Sequence, residues 1–187
     1  MTHIPNSIKG VDRPLASTSD YMTAMSQHAS SVTVITTADG QGRYGLTATA
    51  VSSVTAAPPR LLVCINKSGS THEKIVNAGT FAVNVLSEDQ EQIAKAFSGM
   101  LGKDFDRFSL GVWTRLVTGS PVLQNTSSSF DCKLVQTIDQ STHTIIIGEV
   151  LATTAEPGHD SLLYADRRFR NLRKSSAPQR GKEIEYL

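Results

Sequence analysis

The chain has few of the features that would place it outside ordinary globular proteins. Among its 187 residues there are only 2 cysteines, Cys64 and Cys132, too few and too far apart for a disulfide framework or a zinc site. The formal net charge is +1, so no strong field favours nucleic acid or an anionic membrane as partner. No apolar run approaches the roughly 18 residues of a membrane-spanning helix, and the N-terminus does not resemble a signal peptide. These features predict a soluble protein of the reducing cytoplasm.

The motifs of several enzyme classes are also missing. There is no Gly-x-Ser-x-Gly elbow for nucleophilic hydrolysis, and neither cysteine has an activating neighbour in sequence. The phosphate loop GxxxxGK[ST] and the dinucleotide fingerprint GxGxxG are absent, so any nucleotide must be bound outside a Rossmann unit. The five histidines do not show metal-ligand spacing, and no metal is expected.

Short β-branched and apolar segments dominate the rest of the chain. We count six or seven β segments and three short helices without regular βαβ alternation, which predicts a mainly β fold, an antiparallel barrel with helices packed outside it. Two long segments, 127–138 and 142–153, are joined by a linker short enough for a hairpin. We expect a loose arm over 1–19, one domain over 20–172 and a mobile tail over 173–187.

One predicted strand, over residues 45–55, consists almost wholly of small and hydroxylated residues. A plain core strand would carry large apolar side chains, whose burial stabilises by ~1.5–3 kcal/mol each. On this strand Thr47, Thr49 and Ser53 give one face mostly hydroxyl groups, while Ala48 and Ala50 give the other face almost no volume. Such a strand leaves room either for a flat ligand or for a tightly packed partner chain.

A polar turn follows the next predicted strand and opens a helix. The run 70–73 matches a capping box, which predicts Ser70 as the N-cap. Asn66 and Ser68 offer hydrogen bonds, Lys67 offers charge, and the free N–H groups of a helix start suit an anion. The alternative is that Ser70 only caps its helix and Lys67 is a solvated surface charge. Taken with the small-residue strand, the turn favours a bound flavin nucleotide.

The order of these segments resembles the short-chain flavin reductase family, the small components of two-component flavin-dependent monooxygenases. The resemblance covers residues 20–172. The matching segments include GLTATAVSSV at 45–54, LVCIN at 62–66, GTFAVNVL at 79–86, GSPVL at 119–123 and the strand from His143 to Val150. The resemblance implies an FMN-binding split β-barrel of six to seven antiparallel strands, usually a homodimer with flavin near the subunit interface.

The resemblance also implies hydride transfer from NADH or NADPH to FMN or FAD, with reduced flavin released to a separate monooxygenase. Carried over by position, the residues along the flavin ring and ribityl chain would be Gly45, Leu46, Thr47, Ala48, Thr49, Ser52, Ser53, Cys64 and Asn66. Those at its phosphate would be Lys67, Ser68, Ser70 and His72, and Phe97 and Ser98 would close the site. His143 would position the nicotinamide, with Tyr164, Arg167 and Arg168 nearby.

The chain departs from this family at one informative place. Members often carry Gly-Asp-His before the long strand, whereas this chain has Ser141, Thr142 and His143. Because the acidic residue is missing, the resemblance does not decide between NADH and NADPH. Three other functions stay open: a flavin carrier of the same fold without reductase activity, an oxidase of the pyridoxine-phosphate type, and a β-barrel interaction module.

Overall fold

The protein is mainly β, and a computed structural model describes residues 15–156 and 158–172. The helices are α1 (Thr18–Ser26), α2 (Ser70–Ala78) and α3 (Glu91–Phe97). The strands are β1 (Ser30–Ser31), β2 (Thr33–Asp39), β3 (Gly42–Ala48), β4 (Val51–Ala56), β5 (Pro59–Asn66), β6 (Thr80–Val85), β7 (Trp113–Arg115), β8 (Pro121–Leu123), β9 (Ser128–Gln140), β10 (His143–Ala155), β11 (Leu162–Ala165) and β12 (Arg168–Asn171). In the described part of the chain, no helix is long and apolar enough to cross a membrane.

The predicted domain bounds are not tested by these elements. Most of the predicted arm, 1–19, and all of the predicted tail, 173–187, lie outside the described residues. Helix α1 begins at Thr18, two residues before the predicted start of the domain at 20. The bounds 20–172 therefore stay a prediction.

Seven strands form one sheet in the order β3-β2-β6-β9-β10-β5-β4, and every neighbouring pair is antiparallel. Strands β9 and β10 form the hairpin that the short linker predicted, and this hairpin lies near the centre of the sheet. A three-stranded sheet, β1-β11-β12, and a hairpin, β7-β8, complete the described strands. The mainly β, antiparallel fold class is confirmed.

The two edges of the large sheet are neighbours in sequence. Strands β3 and β4 occupy opposite edges, yet only Thr49 and Ala50 separate them in the chain. The prediction of a single strand over residues 45–55 is therefore wrong, because the chain leaves one edge of the sheet after Ala48 and joins the other edge at Val51. Because a link of this length spans about 10 Å, the sheet must curve until its edges approach. Leu46 from one edge and Val51 from the other pack against the same core cluster. Within the described residues no ladder joins β3 to β4, so the sheet stays open between them.

Two apolar clusters lie on the two faces of β2, because successive side chains of a strand point to opposite sides. Ile35 joins the cluster inside the curve, where Phe81 and Ile146 of the sheet meet Ile75 of α2. Val34 joins the other cluster, formed with α3 and the smaller strands. The inner cluster therefore holds α2 against the sheet and fixes the position of its N-terminus.

The β2–β3 turn is tied to α2 by a small polar cluster. Asp39 accepts hydrogen bonds from the N–H groups of Gln41 and Gly42, and its carboxylate lies 2.9 Å from the Lys74 ammonium. That ammonium also lies 4.5 Å from the centre of the Tyr44 ring. The hydrogen bond from Lys74 and those from the backbone lower the pKa of Asp39 to about 2. Asp39 in turn raises the pKa of Lys74.

We expect Asp39→Asn to be less stable than the wild type near neutral pH, and the difference to disappear in acid. The depressed pKa means that the carboxylate stabilises the fold above its unfolded value of about 3.8, and that this contribution is lost as pH falls toward about 2. Urea unfolding of both proteins, from neutral pH down to about pH 2, measures the difference in the free energy of unfolding. Asp104→Asn, at an exposed aspartate, is the control. A stability difference that stays constant down to about pH 2 would contradict the assignment.

Candidate functional site

A cleft of about 550 Å³ opens along β3, the β3–β4 link and the end of β5, and the C-terminal end of α3 also lines it. Its size lies within the ~300–1,000 Å³ of small-molecule sites. It brings together many of the residues that the sequence predicted, although they lie far apart in the chain. They are Leu46, Thr47, Ala48, Thr49, Cys64, Asn66, Ser68, Phe97, Ser98, His143 and Tyr164.

The β3 wall of the cleft is kept thin by small residues that also fix its position. The Thr47 hydroxyl donates a hydrogen bond of 2.7 Å to the Ala94 carbonyl of α3, so it anchors the wall. Gly45 does not line the cleft; a Cβ at this position would lie 2.6 Å from the Phe97 ring. The glycine therefore allows α3 to pack closely on β3, which places Phe97 beside the cleft.

The start of α2 differs from the prediction. Gly69, in extended conformation, is the N-cap and offers no side-chain cap, while Ser70 is already the first helical residue. The prediction that Ser70 is the N-cap is therefore wrong. The physical reason lies one step earlier in the chain, where the Asn66 side-chain carbonyl accepts the Ser68 N–H at 2.9 Å and turns the backbone before Ser70 is reached.

This uncapped start is a potential anion site at one end of the cleft. Within the described residues, the N–H groups of Gly69, Ser70 and Thr71 have no acceptor. Asn66, Ser68 and Gly69 line the cleft, so these groups lie next to it. Free N–H groups and the positive end of the helix dipole together favour a phosphate.

Lys67 and His72 are occupied by contacts with the β9–β10 hairpin. The Lys67 ammonium lies 2.6 and 2.7 Å from the two carboxylate oxygens of Asp139, and Lys67 does not line the cleft. The His72 Nε2 atom lies 2.9 Å from the Thr144 hydroxyl. Both side chains connect the turn to the hairpin. Their partners, Asp139 and Thr144, do not line the cleft.

His143 lies beside the polar turn because it pairs with Asn66 in the β5–β10 ladder. Its Nδ1 atom is 2.8 Å from the hydroxyl of Thr142, the residue that stands where relatives of the predicted type often have an aspartate. A hydroxyl can orient the ring through this hydrogen bond without adding a negative charge. His143 lines the cleft and also a second cavity that adjoins it.

Other predicted residues lie outside the cleft. Ser52 and Ser53 line a separate cavity of about 540 Å³ with Arg60. Arg167 lines the cavity of about 470 Å³ that adjoins the cleft, whereas exposed Arg168 lines none of the three. Ser70 and His72 are likewise not part of the cleft lining. The cleft therefore gathers most of the predicted ring-side residues but not Gly45, Ser52 or Ser53, and of the predicted phosphate-side residues only Ser68 lines it.

Comparison with known proteins identifies the family. The model of the flavin reductase like domain matches residues 25–173. The chain belongs to the flavin reductase like family. Its sequence is 40% identical over 159 residues to the FMN reductase (NADH) RutF of Variovorax paradoxus. The matched region covers 85% of this chain and 88% of that protein.

Solved structures of flavin reductases share the fold. The NADH:FAD oxidoreductase SgcE6 of Streptomyces globisporus, in complex with NAD and FAD fragments, aligns with a TM-score of 0.79 and 27% identity, over 88% of this chain and 100% of that chain. BorF, the flavin reductase component of a bacterial two-component tryptophan halogenase, aligns with a TM-score of 0.76 and 28% identity, over 83% and 98%.

The cleft of this flavin reductase-like chain also contains residues that the sequence analysis missed. Ala50 and Met100 line it, and Met100 is 64% exposed. Helix α3 ends at Phe97, with Ser98 as its C-cap. The φ of +85° at Gly99 and the hydrogen bond from its N–H to the Ala96 carbonyl then turn the chain, and the Met100 N–H donates to the Lys95 carbonyl. A glycine two residues beyond an apolar helix was the available signal for this turn, because it predicts where the next side chain emerges.

We expect the two cysteines of this flavin reductase-like protein to differ strongly in reactivity. Cys64 is half-buried and lines the cleft, whereas burial, with the nearby Asp131 carboxylate, raises the pKa of the Cys132 thiol to about 12. Because the thiolate is the reactive form, an aromatic disulfide reagent should modify Cys64 rapidly in the folded protein and Cys132 only after unfolding. FMN should slow the first reaction. Cys64→Ser is the control, and labelling of Cys64 at an unchanged rate in saturating FMN would contradict its place in the site.

Proposed function

We propose that this protein is an NADH:flavin oxidoreductase that reduces FMN and supplies the reduced flavin to a separate flavin-dependent monooxygenase. The observation that carries this proposal is the continuity of one cleft, from the free N–H groups before α2, along the small-residue wall, to His143. The RutF relatives, named FMN reductase (NADH), support both the flavin and the donor. BorF, a reductase component of a two-component system, supports a partner that consumes reduced flavin.

The residues present fit a flavin nucleotide. The thin wall of Thr47, Ala48 and Thr49 leaves space for a flat ring, and Phe97 offers an apolar surface beside it. The N–H groups of Gly69, Ser70 and Thr71 provide donors for a phosphate. A flavin bound here supplies the hydride acceptor, and the nicotinamide of NADH supplies the hydride.

The chain's own part in the reaction is to hold and orient. The wall and Phe97 fix the plane in which the ring lies, because Gly45 and the Thr47–Ala94 hydrogen bond keep β3 and α3 in close contact. Thr142 orients the His143 ring, so that its Nε2 atom is left to meet the amide of the nicotinamide. Such positioning of two reactants contributes to rate through proximity, and no side chain is assigned as a general base.

The assembly and location are part of this proposal. The short link between the sheet edges supports a split barrel, with the open side between β3 and β4 facing the ligand. We propose a homodimer, in which the exposed face of β4 and the Ser52–Ser53 cavity contact a second copy. We also propose that the protein acts in the cytoplasm, where NADH is available and the two free cysteines stay reduced.

The test is oxidation of NADH by the purified protein with added FMN, followed at the NADH absorbance band. We expect turnover that depends on both FMN and protein, slower turnover with FAD, and reduced flavin that a second enzyme can consume. FMN binding without NADH oxidation would favour a flavin carrier instead. Failure to bind any flavin would reject the proposal.

His143→Ala should raise the KM for NADH by about tenfold and change the KM for FMN little. The reason is that one hydrogen bond from the imidazole to the nicotinamide contributes about 1–2 kcal/mol to binding. Steady-state kinetics with each substrate varied in turn measure the two constants. Thr142→Val should have a smaller effect in the same direction, since it removes only the orienting hydroxyl. A larger change in the KM for FMN than in that for NADH would contradict this role.

A further inference from the structure

The flavin cleft has no permanently charged side chain in its wall. Among the described residues that line it, none is a lysine, arginine, aspartate or glutamate. The polar groups at its phosphate end are neutral: the side chains of Asn66 and Ser68, and the free N–H groups that start at Gly69. A phosphate bound there meets hydrogen-bond donors and a helix dipole but no cation in the wall itself. The chain does place one cation at this turn, because Lys67 lies between Asn66 and Ser68.

Lys67 is engaged by the end of the β9–β10 hairpin. Its ammonium lies 2.6 and 2.7 Å from the two carboxylate oxygens of Asp139. Its backbone N–H donates a hydrogen bond of 3.0 Å to the Thr142 carbonyl, which belongs to the same hairpin. Asp139 does not line the cleft, so this ion pair lies beside the proposed phosphate site and not in it.

The ion pair between Lys67 and Asp139 is of a kind that can open. The two side chains are 32% and 76% exposed, so water and salt screen their attraction. Lys67 precedes Gly69 by only two residues, a backbone span of about 7 Å at most. A lysine ammonium sits on a flexible four-carbon stem and pairs with phosphate as well as with carboxylate. The ammonium can therefore exchange the carboxylate of Asp139 for a phosphate at the start of α2.

We propose that Asp139 competes with the flavin phosphate for Lys67, and that this competition keeps the flavin an exchanging substrate. The inference rests on the proposed function, since it takes the phosphate to lie at the start of α2. In the free protein the hairpin carboxylate holds the only cation of the 66–70 turn. Displacing that carboxylate costs part of the binding free energy of FMN, which lowers the affinity and speeds release. A reductase that supplies reduced flavin to a separate enzyme depends on such release.

The test is titration of the full chain with FMN and with riboflavin, followed by quenching of Trp113 fluorescence. Asp139→Asn keeps the size of the side chain and removes its charge. We expect the Kd for FMN to fall about fivefold, and the rate of FMN dissociation to fall with it. Riboflavin, which lacks the phosphate, should bind equally to both proteins and so also report that the variant is folded. Asp104→Asn, at an exposed aspartate outside the cleft lining, is the charge-matched control and should change neither Kd.

A second substitution separates competition for Lys67 from plain repulsion between Asp139 and the phosphate. In a Lys67→Ala background the ammonium is gone, so Asp139→Asn should change the Kd for FMN by less than about twofold. An equal gain in affinity with and without Lys67 would overturn the competition. So would an unchanged Kd for FMN in Asp139→Asn, or an equal tightening of riboflavin.

The outcomes also keep this inference apart from the proposed function. FMN binding needs no hydride transfer, so tighter FMN binding by Asp139→Asn in a protein that does not oxidise NADH would reject the reductase function and keep the competition. A wild type that reduces FMN, with an Asp139→Asn variant that binds FMN no more tightly, would overturn the competition alone. A wild type that binds no flavin would reject both.

Discussion

Ser70→Pro is expected to weaken FMN binding by about 10- to 100-fold and to leave riboflavin binding unchanged. The substitution removes one N–H that we propose donates to the flavin phosphate, and a hydrogen bond to a charged group is worth ~1.5–3 kcal/mol. Riboflavin has no phosphate, so it cannot lose this bond. Titration of both flavins, followed by quenching of Trp113 fluorescence, measures the difference.

The local backbone makes this a clean experiment. Ser70 is the first residue of α2, where proline is accepted because its N–H has no partner within the helix. Gly69 already has the extended conformation that a residue before proline requires, with φ −85° and ψ 138°. Ser70→Ala is the matched control, since it keeps the N–H and removes only the hydroxyl. Equal weakening of FMN and riboflavin binding by Ser70→Pro would contradict a phosphate site at this helix start. So would equal weakening of FMN binding by Ser70→Ala and Ser70→Pro.

Gly148→Ala is expected to destabilise the protein by about 1–3 kcal/mol, a large effect for a single methyl group. A Cβ at this position would lie 2.5 Å from Cζ of Phe81 and 2.9 Å from Cβ of Cys132, both fully buried in the inner core cluster. The close-packed interior offers no space into which the Phe81 ring can move freely. Urea unfolding at neutral pH gives the free-energy change.

Two further variants separate steric overlap from a general effect of replacing glycine. Gly40→Ala should change stability little, because nothing lies within 4 Å of its Cβ position and its backbone does not need a left-handed conformation. Phe81→Leu in the Gly148→Ala background should recover part of the loss, so that the double variant is more stable than the two single effects predict when added. Additive effects, or a Gly148→Ala protein as stable as the wild type, would contradict the overlap.

The strands were the most predictable part of the fold. The two long segments that became β9 and β10 were predicted as a hairpin from their own residues and from the short linker between them, which are local causes. The placement of β3 and β4 at opposite edges of the sheet was not predictable in this way. It depends on pairing with β2 and β5 and on the curvature of the whole sheet.

In the candidate site, too, features with a local cause were predictable and features that depend on distant residues were not. The small-residue strand predicted a thin wall, and the structure places Thr47, Ala48 and Thr49 along the cleft. The role of Lys67 was not decided by its sequence neighbours, because its partner Asp139 is 72 residues away in the chain. Ser70 was predicted as the N-cap because residues 70–73 match a capping box, but the Asn66 side chain turns the backbone at Ser68, before Ser70 is reached.

The place of β3 and β4 at the sheet edges has a consequence for the colloidal behaviour of the protein. Unpaired strand edges are templates on which other chains can add, and aggregation begins at such places. In the described part of the chain, neither β3 nor β4 has a further strand on its outer side. Thr47, Thr49, Ser52 and Ser53 are short and hydroxylated, so they offer an approaching chain little apolar surface. The residues that leave room for a ligand therefore also make these edges poor templates for other chains.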